Sequence, residues 1–246
     1  PQPAPAKQSG PITFQGSLRS RAEMWDWFGG DPASRYAYSG NLVKLGIAGA
    51  GERMDWNIEF AAPLLFGLPD DAIQPAPAGA LGLGASYFVA NDHNRTTGSL
   101  FLKQGYIRLK TGARHLRLGR FEFADGTELA SRNATLANVK ASRIAHRLLG
   151  NFGFTHVGRS LDGFHYSAGS SSRNVTVVGA MPTRGVFQVD GWGNLKAAVG
   201  YAALSGQYTT ARDAGDWRLF TLYYHDWRDV LKVDNRPAAL RAGEFG

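Results

Sequence analysis

Hydrophobic and polar residues alternate strictly along the first segment of the chain. From position 12 to 24 the even residues are Ile12, Phe14, Gly16, Leu18, Ser20, Ala22 and Met24, and the odd ones are Thr13, Gln15, Ser17, Arg19, Arg21 and Glu23. Successive side chains of a strand point to opposite faces, so this spacing predicts a strand with one apolar side and one charged side. Met54, Trp56, Ile58 and Phe60 repeat the pattern against Arg53, Asp55, Asn57 and Glu59. Strands of about ten residues or more with this character suit a barrel that meets lipid outside and water inside.

Similar segments follow at 12–27, 36–50, 52–62, 81–91, 99–110, 114–123, 161–169, 173–181, 185–191, 195–205 and 216–226. The tight links at Gly51 and at Thr111-Gly112 make their flanking strands antiparallel neighbours. The fold expected is all-β, an antiparallel transmembrane β-barrel with about 10–11 strands present and an Arg-lined lumen. Residues 1–11 read as a flexible leader, and 12–246 as the barrel domain. Its rhythm breaks in a long loop at 124–159, where 129–149 is either a short helix or an ordered loop. A soluble β-sandwich is the competing fold. Against it stand the strand length, the outward aromatics Trp25, Trp56, Tyr87, Tyr106, Trp217 and Tyr223, and the concentration of arginine on one face.

Composition agrees with the barrel without requiring it. The chain has 246 residues, 31 glycines and no cysteine, and its hydrophobic fraction is an ordinary 43%. A membrane barrel alternates polar and apolar residues, so its mean hydropathy resembles that of a soluble protein. The longest uncharged stretch, 72–91, carries Pro75, Pro77, Gly79, Gly82 and Gly84, which break a spanning helix. The opening Pro-rich stretch reads as the start of a mature exported protein or as an arbitrary boundary. The formal charge of +7 comes from 20 arginines and seven lysines against 20 acidic residues. Arginine's planar fork holds carboxylate and phosphate through two bonds, so this preference favours anion recognition, unless it reflects an Arg-preferring genome.

The face opposite the apolar residues collects Arg19, Arg21, Glu23, Arg53, Asp55, Glu59, Arg108, Lys110, His115 and Arg117. Residues two apart on a strand lie about 6 to 7 Å apart on one face, a spacing that matches neighbouring charges of a linear polyanion. Carboxylates among the arginines moderate their mutual repulsion, and a net cationic passage attracts anions and excludes cations.

Two stretches carry a family signature. Residues 118–126 read Leu-Gly-Arg-Phe-Glu-Phe-Ala-Asp-Gly, and 157–164 read Val-Gly-Arg-Ser-Leu-Asp-Gly-Phe. Together they resemble the alginate-export family of Gram-negative outer-membrane β-barrels, and a looser similarity runs from Ser17 to Pro237, including Lys232, Asp234, Asn235 and Arg236. The resemblance implies a monomeric barrel of about eighteen strands whose Arg-rich pore passes an anionic uronic-acid polysaccharide by diffusion. It places Arg120, Glu122, Arg159 and Asp162 at the pore constriction. The 125–159 loop, whose main charges are Arg143, His146 and Arg147, folds near them. The chain has too few strands to close such a barrel, so it is expected to be either a fragment lacking C-terminal strands, the favoured reading because no aromatic-ended strand follows Pro237, or a smaller barrel. The partners implied are an anionic polysaccharide or small anions, outer-membrane lipid and periplasmic export proteins.

Other functions find little support. Ser170-Ser171-Ser172 with His165 nearby is a turn before it is a nucleophile, and no Gly-x-Ser-x-Gly or His-Glu-x-x-His motif occurs. Glu122, Asp125 and Glu128 among arginines suit a charge-balanced constriction better than a glycosidase pair. The six histidines are dispersed, so no metal or other cofactor is expected. Basic residues spread along strands do not form a nucleic-acid patch. The chain is therefore read as a non-enzyme, an anion-selective channel of the bacterial outer membrane. A barrel enzyme acting on lipid or saccharide and a general porin are the alternatives.

Overall fold

Each alternating segment leaves its backbone N–H and C=O groups to be paired by a neighbour, and short links bring that neighbour in antiparallel. The computed structural model describes residues 12–26, 32–75, 79–210, 214–228 and 243–245. Its strands are β1 (Ile12–Asp26), β2 (Arg35–Ala50), β3 (Met54–Phe66), β4 (Thr96–Gly98), β5 (Phe101–Thr111), β6 (Arg114–Phe121), β7 (Leu161–Gly169), β8 (Arg173–Pro182), β9 (Ala197–Thr209), β10 (Ala214–Asp226) and β11 (Gly243–Phe245). They form one antiparallel sheet in chain order, with β4 set aside as a second partner of β3. The sheet is not closed: β1 stands at one end of the order and β11 at the other.

Register carries the alternation across the sheet. Arg19 pairs with Leu42, Lys44 with Ala61, Asp55 with Arg108, Arg108 with Arg117, Arg117 with His165, and His165 with Val178. These residues share one face. The other face presents Phe14, Leu18, Met24, Leu45, Ile58, Ile107, Leu118, Phe164, Val175 and Leu219, all exposed. A bulge in β5 opposite Glu59 and Phe60 inserts one residue, Lys103, and turns it to the polar face.

The connections differ at the two ends of the sheet. At one end β2–β3, β5–β6 and β7–β8 are joined by links of two or three residues. At the other end lie the long connections 67–95, 122–160 and 183–196, and they fold back over the polar face. Leu68, Tyr87, Phe88, Val157 and Val189 from these connections pack with Tyr38, Leu42, Ala61, Leu65 and Phe101 of the sheet. Burial of each large apolar side chain contributes roughly 1.5–3 kcal/mol.

Three local expectations are corrected. Residues 81–91 form a helix, α1 (Gly82–Ala90), where a strand was expected. A helix that is apolar on every side is stable only when enclosed, and α1 is enclosed between the sheet and the 152–158 and 187–189 segments. Residues 185–191 are not a strand. Gly185 and Val186 have φ of 116° and 62°, and the Val186 N–H donates to the Gly158 carbonyl at 2.9 Å, which bends the chain instead of extending it. β3 continues through Pro63 to Phe66, where a loop was expected. The long loop carries a short helix, α2 (Ala134–Val139), followed by one π-helical turn at Lys140–Ile144. The Lys232, Asp234, Asn235, Arg236 and Pro237 stretch lies outside the described residues.

Candidate functional site

The polar face of the sheet and the 122–160 connection above it bring together most of the charged residues singled out in the sequence. Odd positions of β1 aim Arg19, Arg21 and Glu23 at this connection. Arg19 donates to the carbonyls of Gly153 and Thr155 at 3.0 and 2.5 Å, and Arg21 donates to that of Phe154 at 2.8 Å. Glu23 accepts from Tyr38 Oη at 2.7 Å and lies 2.9 Å from His156 Nε2. Because that carboxylate oxygen accepts, His156 carries its proton on Nε2, and its Nδ1 is buried without a partner. The His156 ring is fully buried between Tyr38 and Tyr87, and it lies directly over Gly40. Burial holds its pKa below the ordinary histidine value. Burial also pushes the Tyr87 phenol up to about 12, while its oxygen accepts from the His156 N–H at 2.8 Å.

Along β5 and β6 the cations are shared out among carboxylates and carbonyls. Arg108 and Lys110 both bond Asp55, the latter at 2.7 Å. Lys103, almost fully buried, reaches Glu122 at 3.2 Å and the Val157 carbonyl at 3.3 Å. Arg117 stacks over Tyr106 and Phe121 with its carbon 4.8 and 5.5 Å from the ring centres, and donates to the Glu122 carbonyl. At the far side of the sheet Arg218 of β10 lies 3.1 Å from Asp125 and 3.6 Å from Glu128, and Tyr201 Oη donates to Glu128 at 2.5 Å. Lys140 reaches Asp216 at 3.5 Å. The connection is thus tied to β1 at one side and to β9 and β10 at the other.

Arg120 and Asp162 stand apart from this constellation. They pair directly across β6 and β7, two residues from Leu118 and Phe164, and so belong by alternation to the apolar face. Their bidentate contacts are 2.7 and 2.6 Å, and Arg120 also donates to the carbonyls of Leu102, Gly191 and Trp192. The pair clamps the 190–194 turn onto the strand ends. Arg53 is exposed in the β2–β3 turn, away from the loop-covered region. Arg143 and Arg147 follow α2, and Arg147 donates to the carbonyls of Arg143 and Ser142.

Arg159 stacks 5.0 Å above Phe152, and burial lowers its pKa from the ordinary guanidinium value. Together with Arg147, His146, Leu222 and Tyr224 it lines a cavity of about 880 Å³ between the connection and β7–β10. Among the described residues no carboxylate lies within 4 Å of Arg147 or Arg159. No group of three metal-ligating side chains occurs among them either. No helix among them is long and apolar enough to cross a membrane, which has no bearing on crossing by strands.

Sequence reasoning passed over Lys103 and Arg218. The even-numbered positions of 216–226 carry Arg218 on the polar face together with Asp216, a signal present in the alternation. Lys103 had none, because the bulge reverses its parity relative to Arg108 and Lys110. Comparison with protein-family models, curated proteins and solved structures finds no match for this chain.

Proposed function

We propose that this chain forms wall and plug of an outer-membrane β-barrel channel that passes anions, an anionic polysaccharide of the alginate type or smaller anionic solutes. The observation that carries this reading is the inversion of burial across the sheet. Phe14 and Met24 are 81% and 86% exposed on one face, while Asp55 and Lys103 on the other are only 6% and 3% exposed. A water-soluble sheet buries its apolar face, whereas a sheet facing hydrocarbon does the opposite. The preference for anions rests on the polar face, where Arg19, Arg21, Lys44, Lys103, Arg108, Lys110, Arg117 and Arg218 outnumber Glu23, Asp55, Glu59, Asp216 and Asp226. It rests also on Arg147 and Arg159, within 4 Å of which no carboxylate lies among the described residues.

The test is reconstitution in planar bilayers under a salt gradient. The expected outcome is insertion with a reversal potential of the sign that anions carry. A protein that stays soluble without detergent and forms no conductance refutes the membrane reading, and cation preference refutes the anion reading.

A further inference from the structure

A second cavity, of about 240 Å³, lies on the polar face beneath the first turn of the connection. Its floor is Arg117, His165, Ser167 and Thr176, and Glu128 closes it from above. At about 30 Å³ per water this space holds on the order of eight waters, too few for a chain of sugars and enough for one compact ion with its solvent. The walls carry unspent hydrogen-bonding capacity. Arg117 Nε, His165 Nδ1 and Glu128 Oε2 are all buried without a partner, and His165 is only 8% exposed. Arg108 and Arg117 in the walls are matched in number by Glu122 and Glu128. Arg108 is neutralised by Asp55, and Glu122 is taken by Lys103, which leaves the Arg117 guanidinium with aromatic rings and one carbonyl. Glu128 spends its other oxygen on Tyr201 and the Gly126 N–H.

We infer that this cavity binds a protonated phosphate group, as the free ion or at the end of a phosphomonoester. The unpartnered Arg117 Nε–H and the Ser167 hydroxyl, which accepts from Asn174 and keeps its own proton to donate, suit the anionic oxygens. A buried carboxylate oxygen in the same wall requires a donor from the ligand, and a hydrogenphosphate has a P–OH to offer where sulfate has none. The site rests on the channel reading only in that the ion enters from the aqueous side of the sheet.

Titration calorimetry of the full chain in detergent near neutral pH tests this, with inorganic phosphate, glycerol 3-phosphate and sulfate as separate arms. Phosphate is expected to bind roughly tenfold or more tightly than sulfate, and Glu128→Gln to narrow that gap. Arg117→Met is expected to abolish binding and Ser167→Ala to weaken it several-fold, both with unchanged heat-modifiable migration on gels. If glycerol 3-phosphate binds as well as inorganic phosphate, the site takes a monoester end; if it does not, the site takes the free ion. Sulfate binding as tightly as phosphate, no binding of either, or full binding in a folded Arg117→Met protein each overturns the assignment. Anion-selective conductance persisting in the last case would separate that failure from failure of the channel reading.

Discussion

Gly40→Ala should release the 152–158 segment from the sheet without unfolding the strands. A Cβ at Gly40 would lie 2.2 Å from His156 Cε1 and 2.4 Å from both ring nitrogens. The ring has no room to move aside, since Tyr38 and Tyr87 pack against it at 5.9 and 5.7 Å between centres. Overpacking of this kind costs about 1–3 kcal/mol. Displacing the ring also removes its bond to Glu23, at about 1 kcal/mol for a partly solvated polar contact. The total, about 3 kcal/mol, corresponds to roughly a hundredfold rise in the undocked population. Hydrogen exchange read by mass spectrometry should show that loss of protection in 150–158, with β2 and β3 unchanged. Protection within twofold of wild type in that segment would refute the docking geometry, because the substituted methyl group cannot coexist with it.

Two further outcomes follow from the same contacts. His156 has a folded-state pKa below its unfolded value, so the unfolded or undocked state takes up the proton first. Its docking contribution is complete above the ordinary value of about 6.5 and falls as pH drops below that toward the depressed folded value. Protection factors in 150–158, taken relative to the intrinsic exchange rate at each pH, should therefore fall on moderate acidification, and His156→Gln should flatten that dependence. Arg120→Ala leaves Asp162 unpaired beneath the 190–194 turn and should destabilise the protein by about 3–5 kcal/mol, read as a lower temperature for the gel-shift transition. If the chain conducts as proposed, the reversal potential should be unchanged in that variant, and a selectivity change without destabilisation would put Arg120 on the conduction path.

Much of the sheet was legible in the chain. In β1, β7 and β10 a two-residue period over nine to fifteen positions leaves one strand assignment, and the period alone separates Arg19 and Arg21 from Leu18 and Met24. Periodicity failed where it was short or apolar throughout. The stretch 81–91 has aromatic and β-branched residues that favour a strand, and only the enclosing sheet face and loops make it a helix. The family-like stretches around Arg120 and Asp162 do bring two of their charged residues together, in a clamp at the strand ends.

What the sequence by itself determined is most of the strands, their antiparallel pairing and, along each regular strand, the division of side chains between two faces. These are local properties, because the pleat sends neighbouring residues to opposite sides whatever lies beyond the strand. Only the tertiary structure decided what each charge does. Arg19 and Arg21 meet loop carbonyls more than 130 residues away, Lys103 changes face through a single inserted residue, and Arg218 reaches back to Asp125. A charge's task depends on which partner shares its desolvated space, and that partner is supplied by long connections whose path no short-range pattern encodes.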